Sequence, residues 1–385
     1  MIYLDNSATT ALSKGVKATI IEALECYGNP SSLHFEGDKA RRAMASARSA
    51  IMKALGARNG KLIFTSCGSE ASNLAIKGAV AAKKRRIANR IITTDSEHPS
   101  VANTLNSLES EGFEIVRIPT KSGLLDREAL LTALDKPIFM ASIMLVNNET
   151  GAVYDVFDAF SEIKKKYPDA ICHCDAVQGF LKVRFTPASL NADMITISGH
   201  KVHAPKGIGA LWISDRIIKE KKLVSVLLGG GQEDGFRSGT ENTIGIIAFA
   251  KAVSEGSMTF VQDVCKMSDL RKYAVNKFEE IGKSVKINEP TLPASHIISL
   301  TVHNIKSQTM LNHLSAKGIC VSSGSACSSH SNKPSLVLLS FGLTEEEADS
   351  TIRISLSKYN TKEEIDLLVS AIEEGIEKLV KVKRL

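Results

Sequence analysis

The chain lacks several things that would place it quickly. No run of residues approaches the about 20 consecutive apolar positions that a membrane-spanning helix needs, so a span through a bilayer is not expected. The opening stretch, MIYLDNSATT, has neither the basic start nor the apolar centre of a secretory signal; the expectation is a cytoplasmic protein. The seven cysteines (Cys26, Cys67, Cys172, Cys174, Cys265, Cys320, Cys327) form no regular framework, and their odd number leaves at least one unpaired. In a reducing compartment each is then either a small buried apolar group or a reactive thiol. Cys172 and Cys174 flank His173, yet no second Cys/His pair with zinc-site spacing lies near them. They read as two side chains on one buried strand face, and no metal is expected. Charge of one sign is also scarce: the net charge is +6 over 385 residues. The one dense basic run, Lys83 to Arg86, follows an alanine-rich helical stretch and reads as a solvated helix end, so direct nucleic-acid binding is not expected. There are no internal repeats and no low-complexity linker.

What is present is a large apolar fraction, 43%, ample for one large core and a smaller one. Strand-like and helix-like segments alternate. Strands are expected at 61–66, 91–94, 139–146, 170–174 and 194–198, with helices at 70–82, 101–111 and 157–167. This alternation predicts an α/β fold with a mainly parallel central sheet. Beyond about residue 255 the pattern changes to a helix at 263–281, short strands at 297–302 and 320–322, and a closing helix at 361–380. The expected organisation is a large domain over 12–255 and a smaller α+β domain formed by 1–11 and 256–385.

In parallel sheets ligands sit beyond the carboxyl ends of the strands, and five expected strand ends carry chemistry. Ser198-Gly199-His200-Lys201 ends one strand. A lysine there can form a Schiff base with pyridoxal phosphate, with Ser198 and His200 donating to its phosphate. Asp175 ends the preceding strand, where a buried carboxylate is the expected partner of a pyridinium nitrogen, and Gln178 follows it. Gly68-Ser69 opens a helix whose N–H groups suit a phosphate; the plainer reading is an N-cap by Ser69. His98 follows a third strand and could stack on a pyridine ring and move protons near neutral pH. Asn148 lies in an Asn-Asn-Glu-Thr-Gly turn, and its carboxamide could hold a carboxylate or the cofactor's phenolic oxygen. Arg353 falls in a β-type alternation, where a guanidinium suits a carboxylate clamp; a surface salt bridge is the other reading. Cys327 sits alone in a small, polar segment, 321–334, which suits a thiol that must carry something.

Taken together, these stretches resemble one family. From YLDNSATT and GNPSSLH through EHPSV, NNETG, HCDAVQ, SGHK and RSGTEN to SSGSACSS, the chain is similar nearly end to end to the group I cysteine desulfurases of the NifS and IscS type. These are class V aminotransferase-like enzymes of fold-type I that use pyridoxal 5'-phosphate. The resemblance implies that Lys201 carries the cofactor and that His98 stacks on its ring and acts as acid and base. It implies that Asp175 meets the pyridinium nitrogen and Gln178 the phenolic oxygen. Gly68, Ser69, Ser198 and His200 would bind the phosphate, with Thr240 reaching in from the partner subunit of a homodimer. Asn148 and Arg353 would hold the carboxylate of L-cysteine, and Cys327 would take its sulfur as a persulfide, releasing L-alanine. The sulfur would pass to an acceptor protein, an iron–sulfur scaffold or a tRNA-thiolation enzyme.

Two departures stand out: the phosphate turn reads Ser-Cys-Gly-Ser-Glu where the family usually has Ser-Gly-Ala-Thr-Glu, and the chain stops soon after its last helix, where IscS-type members continue into a scaffold-docking segment. The alternatives are a selenocysteine lyase or cysteine sulfinate desulfinase on the same fold, or a non-catalytic sulfur-carrier homologue.

Overall fold

The computed structural model describes residues 1–82, 88–324 and 334–379. The basic run Lys83 to Arg86 and Cys327 lie outside these residues. A short strand, β1 (Ile2–Tyr3), precedes seven strands of a central sheet. These are β2 (Lys61–Thr65), β3 (Arg90–Thr94), β4 (Glu114–Ile118), β5 (Ile138–Met144), β6 (Ile171–Asp175), β7 (Met194–Ser198) and β8 (Gly209–Ile213). Their order across the sheet is β2-β8-β7-β6-β5-β3-β4. Only β8 runs against the others, pairing antiparallel with β2 and β7.

The strands form where they do because both faces of the sheet are covered. β5 is buried at every position, as an almost unbroken apolar run in a parallel sheet requires. Along β7, Met194 enters one hydrophobic cluster while Ile195 and Ile197 enter the cluster on the opposite face. Cys172 and Cys174 on β6 share that second cluster and are fully buried. Burial pushes both thiols up, Cys172 to about 12, so neither is a thiolate near neutral pH.

A second sheet, ordered β12-β13-β10-β9, is built from β9 (Val285–Ile287), β10 (Ile297–Val302), β12 (Ser322–Ser323) and β13 (Thr351–Ser355). It packs with the helices Phe260–Glu280, Ser307–Ala316 and Lys362–Lys378. The single strand expected at 320–322 is in fact two. β11 (Ile319–Cys320) pairs in parallel with β1, and after Val321 the chain changes partner, β12 joining β13. The N-terminal segment is therefore tied to the second sheet, and Asp5 bridges to Ser355. Among the described residues no single helix is long and apolar enough to cross a membrane.

Candidate active site

The carboxyl ends of β2, β3, β5, β6 and β7 open on one cavity of about 240 Å³. At the end of β2 the helix Gly68–Ala81 begins, capped by Cys67, whose Sγ accepts from the Glu70 N–H at 3.5 Å. The cap is thus the cysteine and not Ser69, because the helix starts two residues earlier than a cap at Ser69 would allow. A Cβ on Gly68 would stand 3.0 Å from Val177 Cγ2, and one on Gly209 would lie 2.6 Å from the Cys67 carbonyl carbon. Glycine at both positions lets the helix N-terminus approach the sheet. Ser198 Oγ lies close by, buried and, among the described residues, without a hydrogen-bond partner. Such an orphaned hydroxyl beside free helix N–H groups suits an anion. His200 also lines the cavity, its Nδ1 3.3 Å from Thr9 Oγ1. Burial, then the charge of Lys201, pulls its ring down to about 4.

Lys201 ends the short turn after β7. Its Nζ donates to the carbonyls of Ser7 and of Ala8, the second at 2.8 Å. Asp175, at the end of β6, is buried and accepts from the Val177 N–H at 3.0 Å. Burial raises it to about 6, opposed by that N–H and by Lys201, so it is mostly ionised at neutral pH. His98 caps the helix Pro99–Glu109, and its Nδ1 accepts from the Ser100 N–H at 3.1 Å. A backbone N–H can only donate, so the proton of the neutral ring sits on Nε2. Burial, then Lys201, lowers His98 to about 4, which keeps the ring neutral.

The opposite wall comes from the junction with the second sheet. Arg353 on β13 lines the cavity but is buried, so it is no surface salt-bridge arginine. Its Nη2 meets Asp5 Oδ1 at 2.8 Å, its Nη1 donates to the Asn148 carbonyl at 2.9 Å, and its Nε has no partner among the described residues. The guanidinium expected to be ready for a carboxylate is already engaged, because the chain brings an acid from position 5 against it. Asn148 reaches the cavity from a turn held by Asn147 Oδ1, which accepts from the N–H groups of Glu149 and Thr150. Thr240 is exposed and does not line this cavity. Of the segment carrying Cys327 only the flanks are described. Gly324 O accepts from Arg353, and Ser335 Oγ donates to the buried Glu149 at 2.6 Å.

The structure adds groups that reading the sequence passed over. The Ser7 and Ala8 carbonyls hold Lys201; their signal was the YLDNSATT stretch, to which no role was attached. Buried Glu97, raised to about 8 by burial, accepts from the Met144 N–H at 2.8 Å next to His98. Lys182, which reads in sequence like any solvated lysine, is buried behind Gln178.

A doubly covered, mainly parallel sheet with a lysine, an aspartate and a helix N-terminus converging on one cavity is the arrangement of fold-type I transferases. The chain belongs to the aminotransferase class-V family, whose model matches residues 2–368. Within that family it is similar to the cysteine desulfurase IscS of Dictyoglomus turgidum, 38% identical across 98% of this chain and 95% of that protein. It is also 36% identical to the IscS of Clostridium botulinum strain Hall across 100% and 95%. Among solved structures, a NifS-like protein superposes with a TM-score of 0.91 at 35% identity, covering 98% of this chain and 100% of that one. SspA in complex with cysteine superposes at 0.79 with 34% identity, covering 94% and 100%.

Proposed function

We propose that the chain is a cysteine desulfurase that uses pyridoxal 5'-phosphate, converts L-cysteine to L-alanine and leaves the sulfur on Cys327 as a persulfide. The observation that carries this is the meeting of Lys201, Asp175 and the orphaned Ser198 Oγ in one cavity, in a chain similar over its length to named desulfurases. The residues fit the cofactor. Gly68, Ser69, Ser198 and His200 would hold its phosphate, Asp175 its ring nitrogen, Gln178 its phenolic oxygen, and Lys201 is the amine to which it would be bound. When bound, the cofactor supplies an electron sink that makes the substrate's Cα proton acidic and its sulfur open to attack.

The chain's own groups do the rest. Arg353 and Asn148 orient the substrate carboxylate, Arg353 giving up part of its contact with Asp5. His98, which would stack on the cofactor's ring, holds its proton on Nε2. Cys327, as a thiolate, attacks the substrate sulfur. The new S–S bond forms as the Cβ–S bond breaks, and the electron pair left on Cβ takes a proton. The net change is thiol plus L-cysteine to persulfide plus L-alanine, with sulfur oxidised and carbon reduced in balance. A free thiol has a pKa of about 8.5, so Cys327 must lose its proton before it attacks. The persulfide then passes to an acceptor protein, an iron–sulfur scaffold or a tRNA-thiolation enzyme, in the cytoplasm. A homodimer brings Thr240 to the phosphate of its neighbour; the exposed Tyr27, Leu33, Phe35 and Leu228 support such pairing.

The test is turnover of L-cysteine with a reductant, reading alanine and sulfide in the native protein and in Cys327→Ala. Alanine and sulfide should appear together, and the variant should lose at least about 10²-fold, the scale of a lost catalytic group. Undiminished turnover in the variant would overturn the role of Cys327 and favour a lyase acting directly on selenocysteine or a sulfinate.

A further inference from the structure

We infer that Lys182 is a positioning residue that sets which way the Gln178 carboxamide faces, so that an N–H and not a carbonyl is presented to the cavity. This rests on the reading of that cavity as a cofactor site. After β6 the chain makes successive turns, with the N–H groups of Gly179 and Phe180 returning to the Ala176 carbonyl and those of Lys182 and Val183 to the Gly179 carbonyl. Residues four apart then share a side, and Lys182 Nζ lies 3.3 Å from Gln178 Oε1. On the other side, Gln178 Nε2 donates to the Ser7 carbonyl at 2.8 Å.

The two contacts agree on the amide's orientation. A carbonyl only accepts, so the atom facing Ser7 must be the nitrogen. The atom facing Lys182 is then the oxygen, and a lysine nitrogen has hydrogens to give it in either charge state. The second hydrogen of Nε2 is left for the cavity that Gln178 lines, where it would meet an anionic phenolic oxygen as a donor. With Lys182 replaced by an apolar residue, only the Ser7 contact would resist a flip, and a flipped amide would turn a carbonyl toward that oxygen.

The burial of Lys182 needs such a reason. Among the described residues no carboxylate forms an ion pair with it. The two that share its adjoining small cavity are committed elsewhere, Glu255 to Ser13 at 2.6 Å and Lys251 at 3.3 Å, Asp263 to Lys358 at 2.9 Å. Burial, then the charge of Lys201, lowers Lys182 to about 7. A buried cation of this kind is costly unless it is used. A chain of hydrogen bonds through Gln178 and the Ser7 carbonyl links it to Lys201, since both Gln178 and Lys201 donate to that carbonyl.

The experiment titrates apo protein with pyridoxal phosphate, reading affinity and the visible absorption maximum in the native protein, Lys182→Met, Lys182→Arg, Gln178→Leu and the Lys182→Met/Gln178→Leu double variant. Lys182→Met should bind about tenfold more weakly, the loss expected for one hydrogen bond to a charged acceptor, with a displaced absorption maximum. Lys182→Arg should recover most of both. In the Gln178→Leu background the Lys182→Met change should cost less than about twofold, because the residue acts through Gln178. An unchanged affinity and spectrum in Lys182→Met, or the whole loss persisting in the double variant, would overturn the inference. If Lys182→Met does not fold, Gln178→Glu decides: it keeps a partner for Lys182 but has no N–H, and native affinity in that variant would equally overturn it. A native protein that binds no pyridoxal phosphate at all would instead bring down the cofactor reading beneath it.

Discussion

The two walls of the cavity are built differently. The wall formed by the strand ends leaves polar groups underused: among the described residues Ser198 Oγ has no partner, and the Asp175 carboxylate accepts one hydrogen bond, from Val177. The wall at the junction of the two sheets is largely engaged with itself: both terminal nitrogens of Arg353 are spent on Asp5 and on backbone carbonyls, and only its Nε is left over among the described residues. An underused wall is organised in advance for a resident group, at a cost already met in folding. A guanidinium already paired with Asp5 makes an incoming carboxylate compete with an internal one, which favours a ligand that comes and goes.

Three changes break or sharpen this contrast. The largest effect is expected from Lys201→Ala, which removes the one amine that the described residues place at the strand-end wall. Turnover should fall by about 10³-fold or more, and mass spectrometry after borohydride treatment should find no pyridoxyl group on the chain. A retained adduct would move the attachment to another lysine. Next comes Asp5→Asn at the junction wall. It weakens the partner of a buried guanidinium and should cost about 1–3 kcal/mol of stability in denaturant unfolding. Part of that loss should return when L-cysteine is present, because its carboxylate can take the place Asp5 leaves. No ligand-dependent recovery would mean that Arg353 does not meet the substrate.

The smallest effect concerns Glu70, at the foot of the strand-end wall. Burial alone would raise it, but hydrogen bonds from Arg237 and Ser66 outweigh that and hold it below its ordinary 4.5. A depressed carboxyl stabilises the fold above its unfolded pKa and loses that contribution as pH falls through its folded value. Glu70→Gln should therefore cost less than about 1 kcal/mol at pH 7, given partial exposure. The gap between variant and native protein should shrink below about pH 4.5 in parallel unfolding curves. A gap independent of pH would assign the effect to packing instead of charge.

Much of this was legible beforehand for a physical reason. A parallel sheet covered on both sides needs short apolar runs, and runs such as 139–146 and 194–198 announce themselves by composition. Their ends fall within a few residues of the observed strands, so Gly68, His98, Asn148, Asp175 and Lys201 could be gathered at one edge. What stayed hidden depends on distance along the chain. No local pattern says that Asp5 will meet Arg353, 348 residues away, or that Val321 separates two strands with different partners. A lysine at 182 looks like a surface residue until the turn after β6 folds it inward. Cys67 was weighed as a substitution in a phosphate turn, whereas its observed part as a helix cap depends on where the helix begins.

The grip of Ser7 and Ala8 on Lys201 has a consequence for synthesis. Those carbonyls are made before the central sheet, yet the segment that carries them is held by β11 and β13, which are made after it. The central sheet can form while the chain is still growing, but the lysine's seat cannot be finished until the distant strands arrive. A chain abandoned before β11 and β13 would thus carry a folded sheet with an unanchored amine, and chemical competence would come only once those strands have been made.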